Sequence, residues 1–239
     1  MPHPSHSEYS QTTPGTSLDA DSVQQTTAGT TNAQGTARAS AGTTAFRFSG
    51  GSTTGLTSIN MNEAVNGKVA CKAYIESTQT NTDARMLGGN GNWYVGLDDS
   101  QQRFWLRWNG GNDTYSADSS VLYDQVIDLE VEWTTWAGNA QTITVKQNGV
   151  TVITLNYSGV SFNPSQDLMV GGISSANKSP NGWFYDIEVY NTDPAVRTSY
   201  YPLTTEESGS SPYTITDEEG SNDATLTDAA GSWQVIPGT

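Results

Sequence analysis

Cysteine, histidine and positive charge are all scarce in this 239-residue chain. Cys71 is the only cysteine, so no intramolecular disulfide can form. Stability has to come from core burial, a metal ion or oligomerisation. Cys71 lies in the strand-like run Val-Ala-Cys-Lys-Ala-Tyr-Ile and reads as a small buried hydrophobe. The two histidines, His3 and His6, both sit at the extreme N-terminus. That leaves no histidine for a nucleophilic triad or a zinc pair in the rest of the chain. Lys and Arg number 10 against 25 Asp and Glu, a formal charge of −15. Such a surface repels nucleic acid and anionic membranes. No apolar run approaches membrane-spanning length, so membrane insertion is not expected. The first residues, MPHPSHSEYSQTTPG, lack the apolar centre of a signal peptide. The expectation is a protein made soluble and not exported by the usual route. Walker, nucleophile-elbow and dinucleotide-binding motifs are also missing.

Large apolar residues are nearly absent from residues 1–44, which are dominated by Thr, Ser, Ala, Gly and Gln. Such a segment buries too little surface to offset its ordering entropy. It reads as an extended arm that gains order on a partner, preceding a folded domain over residues 45–239.

That domain is written in strands. Val126 to Tyr157 holds the longest alternating pattern and the clearest turn, Asn148-Gly149. Asn-Gly suits a two-residue type I′ loop because both central residues must accept positive φ. Ile127, Leu129, Val131 and Trp133 share one face; Asp128, Glu130 and Glu132 share the other. Strict pairing across the turn sets Val145 opposite Val152 and sends Ile153 and Leu155 to the wrong face. Either both faces are partly covered or a bulge shifts the register. Phe46 and Phe48 alternate before Gly50-Gly51. In Arg103 to Trp108, Phe104, Leu106 and Trp108 alternate with Arg103, Trp105 and Arg107. Roughly a dozen short strands with Gly and Asn turns and no long helix argue a two-sheet antiparallel sandwich.

The order of these pieces from Phe46 to Asn191 resembles a laminin G-like domain of the concanavalin A-like lectin/glucanase superfamily. The matching pieces are Phe46-x-Phe48-x-Gly50, Met86-Leu-Gly-Gly, Trp93-Tyr-Val-Gly-Leu, the Asn148-Gly149 hairpin, Leu168-Met-Val-Gly-Gly and Trp183-Phe-Tyr-Asp-Ile-Glu-Val-Tyr. The C-terminal run from Tyr201 through Asp217-Glu-Glu-Gly and Asn222-Asp-Ala-Thr-Leu226 to Trp233 is similar to segments beside such domains in bacteriophage structural proteins. The resemblance implies an all-β jelly roll and, by its company, a virion setting. The expected role is a non-enzymatic capsid decoration or head-fibre protein. It would attach to other virion proteins through residues 1–44 and could form homo-oligomers. The alternative is a carbohydrate-binding receptor or adhesion module that touches host surface polysaccharide.

Three sets of residues are candidates for chemistry. Asp128, Glu130 and Glu132 project from one strand face about 7 Å apart in sequence order. Paired carboxylates can hydrolyse glycosides. The related glucanases use E-x-D-x-x-E, however, and this strand reads D-x-E-x-E, so no catalytic residue is assigned. The simpler reading is a solvated face offset by Lys146 or Arg103. Loop acids supply hard oxygen ligands suited to calcium: Asp98 with Asp99, Asp113 with Asp118, and Asp217 and Glu218 with Asn222 and Asp223. Asp and Asn also fill turns for local reasons. Finally, seven Trp and 11 Tyr are available for packing or for stacking on sugars. Alternation and loop position single out Trp105, Tyr115 and Trp136 as exposed rings suited to a glycan. Trp93, Trp108, Trp133, Trp183 and Trp233 are assigned to the core.

Overall fold

The computed structural model describes residues 42–50, 55–59, 61, 66–89, 93–136, 140–158, 167–172, 179–190, 196–204, 210–227 and 231–239. Residues 1–41, which make up nearly all of the expected arm, lie outside this set.

The hairpin is built as its turn residues demand. Asn148 and Gly149 have φ of 51° and 76°, both in the left-handed region. They connect β9 (Ala140–Gln147) to β10 (Val150–Tyr157). The register shifts between Thr151 and Ile153. Val152 is therefore the extra residue of a bulge, and Ile153 and Leu155 pair with Val145 and Ile143. The bulge resolves the facing conflict in favour of the core: Ile153 is buried and Leu155 packs against the core. The Asn148 side-chain oxygen accepts the Asp128 amide at 2.8 Å, fastening the turn to the preceding strand, β8 (Val126–Trp136).

The other strands are β1 (Thr44–Ser49), β2 (Leu56–Ile59), β3 (Gly67–Ile75), β4 (Asp83–Gly89), β5 (Trp93–Asp98), β6 (Arg103–Arg107) and β7 (Thr114–Tyr115). After the hairpin come β11 (Leu168–Val170), β12 (Asn181–Tyr190), β13 (Ser199–Tyr201), β14 (Tyr213–Ile215), β15 (Ala224–Leu226) and β16 (Ser232–Val235). They form two antiparallel sheets. The first runs β10-β9-β8-β3-β12-β1-β16, with β13 also on β12; the second runs β14-β15-β2-β11-β4-β5-β6-β7. Among the described residues there is no helix. The fold is the two-sheet antiparallel sandwich that the strand pattern implied, matching the jelly roll that the resemblance implied.

Inner faces follow the alternation. Val69, Ala73 and Ile75 of β3, Ile127 to Trp133 of β8 at alternate positions, and Phe104 and Leu106 of β6 are all fully buried. Cys71 joins them, and burial holds its thiol far above the usual range, so it is inert packing. Trp93, Trp108 and Trp133 form a triad with centroids 5.7 to 6.2 Å apart. The Trp108 indole N–H is satisfied by the buried Gln141 side chain at 3.0 Å. The C-terminal segment belongs to the same body: β15 extends the second sheet beside β2, and Leu203, Ile215 and Leu226 are buried.

Trp183 is buried with the core, as expected, and reaches it from the outer face of the first sheet, where it pairs with Arg47 and Tyr74. Tyr74 meets it edge-on at 5.3 Å, and the Arg47 guanidinium lies 5.6 Å from its centroid. A second bulge lets β12 serve both faces. Asp186 has φ of 49°, and the register shifts between Tyr185 and Glu188. Phe184, Ile187 and Val189 thus face the core, while Tyr185, Glu188 and Tyr190 face outward.

Candidate functional site

The second sheet's outer face is set by β6. With Phe104 and Leu106 inward, Arg103, Trp105 and Arg107 must point outward. Trp105 sits opposite Gly96 on β5 and Tyr115 on β7. Gly96 has no side chain, and the Trp105 indole lies flat across it. A Cβ at position 96 would stand 2.2 to 2.5 Å from the ring. Tyr94, edge-on at 5.7 Å, and Met169 complete a small apolar cluster with this ring. Trp105, expected to be exposed, is consequently only 4% exposed. Tyr115 is 45% exposed, as its position implied.

Beside these rings a cleft of about 370 Å³ is lined by Thr82, Asp83, Asp98, Ser100, Trp105, Asp113 and Tyr115. It unites residues that the sequence could only nominate separately, namely Trp105, Tyr115, Asp98 and Asp113. Two arginines hold its acids in place. Arg103 donates to Asp98 Oδ2 at 3.0 Å and to Asp118 Oδ1 at 3.0 Å, with its guanidinium 4.2 Å from the Tyr115 centroid. Arg107 grips Asp113 in a two-pronged pair at 2.7 and 3.0 Å. Such fork-to-carboxylate pairs fix orientation as well as charge. Burial pushes the Asp98 carboxyl up, but hydrogen bonds from Ser100 and Arg103 and the Arg103 charge outweigh it. Its pKa is held below the usual carboxylate value. The Asp113 pair raises the Arg107 guanidinium further, so it stays charged.

Asp83 was not among the sequence candidates. It lies directly across from Asp98 in the β4–β5 ladder and brings a third carboxylate to the cleft. Counting back from Gly89 opposite Trp93 would set Asp83 opposite Asp99; a register shift between Arg85 and Leu87 brings it opposite Asp98 instead, so the pairing could not be read from the sequence. Trp136, the third nominated ring, ends β8 in the first sheet, and its side chain lies outside the described residues.

The nominated calcium ligands are engaged elsewhere. Asp98 is held by Ser100 and Arg103, and Asp99 accepts the Tyr123 hydroxyl at 2.9 Å. The Asp217 carboxylate is 5% exposed and receives the amides of Tyr200, Glu219, Gly220 and Asn222 at 2.9 to 3.4 Å. Asp223 accepts the Asp217 amide at 3.1 Å, and the Asn222 carbonyl accepts the Tyr201 hydroxyl at 2.6 Å. These oxygens close the loop before β15. Among the described residues, no group of three or more His, Cys, Asp or Glu is arranged to hold a metal ion.

The three acids of β8 do share the outer face of the first sheet. Lys146, across the ladder on β9, bonds Glu130 at 2.6 Å and Glu132 at 2.8 Å, and Lys68 adds a contact to Glu130 at 3.7 Å. Arg103, the other suggested counter-ion, belongs to the opposite sheet. Lys72 with Asp186 and Arg197 with Glu188 extend the pattern around a depression of about 430 Å³ over Ala70. Each Glu130 oxygen thus has a lysine ammonium within 4 Å, the lysine offset that the sequence suggested. These pairs are about a quarter exposed. Each is worth roughly 0.2–1 kcal/mol after solvent screening.

No family model and no curated protein matches the sequence. Solved structures do match in three dimensions. A Bacteroides ovatus protein, provisionally named as carbohydrate-binding, superposes with a TM-score of 0.61 at 13% identity. The match covers 82% of this chain and 60% of that one, so this chain spans well under the neighbour's full length. Domains LG4-5 of the mouse laminin α1 chain match at TM-score 0.45 and 12% identity over 68% of this chain and 48% of theirs. A SAP-like pentraxin from Limulus polyphemus matches at 0.44 and 11% over 79% and 90%. The Bacteroides match, at this identity, establishes a shared sandwich fold.

Proposed function

We propose that this sandwich is a carbohydrate-binding module that acts without catalysis, with its ligand in the Trp105–Tyr115 cleft. The observation that carries the reading is the convergence of an exposed tyrosine ring, a tryptophan wall and arginine-clamped carboxylates in one cleft of about 370 Å³. Sugars present flat C–H faces and rings of hydroxyls. An apolar platform beside fixed hydrogen-bonding groups answers both. The name of the Bacteroides neighbour supports the same reading. Tyr115→Ala is the test. Stacking that buries about 60 Å² of apolar surface is worth about 1.5 kcal/mol, or roughly tenfold in Kd. A glycan array and titration calorimetry should show that loss with the melting temperature nearly unchanged. Equal binding by the variant would refute the site.

A virion setting is the second part of the proposal. It is supported by the composition of residues 1–44 and by the C-terminal run similar to phage structural proteins. In this reading the arm attaches to other virion proteins and the sandwich projects outward toward host polysaccharide. A protein lacking residues 1–44 should bind glycan as before but fail to join particles. Normal incorporation would refute the anchoring role.

A further inference from the structure

We infer that Arg85 is an anion-binding position beside the Trp105–Tyr115 cleft, so that saccharides bearing a carboxylate or sulfate bind more tightly than their neutral counterparts. The inference rests on the carbohydrate-binding reading above. β4 brings Arg85 to the face that carries the cleft. The register shift between Arg85 and Leu87 sets Arg85 opposite Gly96 rather than the buried Leu97, and so keeps its side chain outward. Arg85, Gly96, Trp105 and Tyr115 thus form one cross-strand row over four adjacent strands. With neighbouring strands about 4.8 Å apart, the row runs roughly 14 Å from β4 to β7. An oligosaccharide stacked on Tyr115 and laid across Trp105 reaches Arg85 along it.

Arg85 differs from the other arginines in what answers its charge. Arg47, Arg103, Arg107 and Arg197 each hold a carboxylate, namely Glu76, Asp98, Asp113 and Glu188. Among the described residues Arg85 makes no ion pair and no hydrogen bond. Its guanidinium lies 4.3 Å from the centroid of Tyr94 instead. That contact holds the guanidinium in place without neutralising it. Two donors beside Gly96 are buried without an acceptor: Arg85 Nε and Trp105 Nε1, the latter lying against Gly96 itself. Buried donors are seldom left so, and what this row lacks is a group rich in acceptors. Arg85 is half-buried with its Nε covered, so its two terminal nitrogens are the prongs left to a ligand. A carboxylate or sulfate meets both prongs at once in charge-assisted bonds; a neutral hydroxyl gains no ionic pair. The formal charge of −15 opposes any anion at long range. At physiological ionic strength the screening length is about 8 Å, so contacts at hydrogen-bond distance decide.

The full-length protein should be titrated calorimetrically at physiological ionic strength with neutral oligosaccharides and with counterparts that differ only by a carboxylate at C6 or by a sulfate. The acidic member of a bound pair should bind about tenfold more tightly. Arg85→Met keeps an apolar cover over Tyr94 and should close that gap. Arg85→Lys, a charge without a fork, should keep part of it. Tyr115→Ala should weaken both members, and urea unfolding verifies that each variant is folded. Equal affinity within every pair, or tighter binding of the neutral member, overturns the inference and leaves the cleft assignment standing. A gap that survives Arg85→Met puts the anion elsewhere and overturns it too. Binding of no saccharide, or binding insensitive to Tyr115→Ala, overturns the carbohydrate reading of this cleft as well.

Discussion

Gly96→Ala is the most informative single substitution. Position 96 has an ordinary backbone conformation, so an alanine brings no conformational strain; it brings only a methyl group. That methyl would stand 2.2 Å from Trp105 Cε2, 2.3 Å from Cζ2 and 2.5 Å from Nε1. Ordinary carbon contacts begin near 3.5 Å, so the ring has to move outward by roughly 1 Å. It is held from the sides by Tyr94 and Met169 and has no flexible end to give way. Overpacking of this kind costs about 1–3 kcal/mol. Gly149→Ala is the matched control: nothing lies within 4 Å, and only its φ of 76° is penalised. A left-handed non-glycine residue costs about 1–2 kcal/mol. Urea unfolding should show comparable stability losses in the two variants, while only Gly96→Ala weakens glycan binding, because only it displaces the cleft wall. If Gly96→Ala is as stable as wild type and binds equally well, Trp105 does not lie across Gly96 and the geometry of the cleft is wrong.

The remaining predictions are smaller in scope. Tyr115→Ala should cost roughly tenfold in glycan affinity with little change in melting temperature, read by calorimetry. Asp217→Ala leaves the amides of Tyr200, Glu219, Gly220 and Asn222 without their acceptor and should cost about 2 kcal/mol in urea unfolding at neutral pH. Burial raises the Asp217 carboxyl, but the backbone amides of Gly220 and Tyr200 and further hydrogen bonds lower it more, and the folded pKa is depressed. Its stabilisation is therefore complete above the unfolded value near pH 3.9 and lost as pH falls through the folded one, so the alanine variant should show a shallower acid limb. The variant lacking residues 1–44 should retain glycan binding and lose particle incorporation, read by sedimentation with assembled particles.

The strands were legible wherever alternation was unbroken. Ile127 to Trp133, Val69 to Ile75 and Arg103 to Trp108 each display in sequence the faces they present in the fold. Asn148-Gly149 announced its turn through backbone chemistry alone. Legibility ended where a facing depended on a neighbouring strand. In Val150 to Leu155, apolar residues at 150, 152, 153 and 155 fit no single period, and pairing with β9 was needed to make Val152 the bulged residue. Trp105 was assigned to the surface by alternation, correctly as to face and wrongly as to exposure, because its burial is set by the empty position at Gly96. Asp186 carries the second bulge with no local glycine to mark it. β2 was missed because Leu56–Ile59 is too short to show a period. For the cleft, Asp98, Asp113, Trp105 and Tyr115 were each visible, but their meeting required the β4-β5-β6-β7 register.

The central claim is that a glycan enters the Trp105–Tyr115 cleft. Fluorine NMR of protein carrying 5-fluorotryptophan, with the Trp105 resonance assigned through Trp105→Phe, tests this most directly among the seven tryptophans. Titration with a neutral oligosaccharide that binds the protein should shift the Trp105 signal saturably and leave those of Trp93, Trp108 and Trp133, buried between the sheets, in place. A saturable shift at another tryptophan with Trp105 unmoved would contradict it.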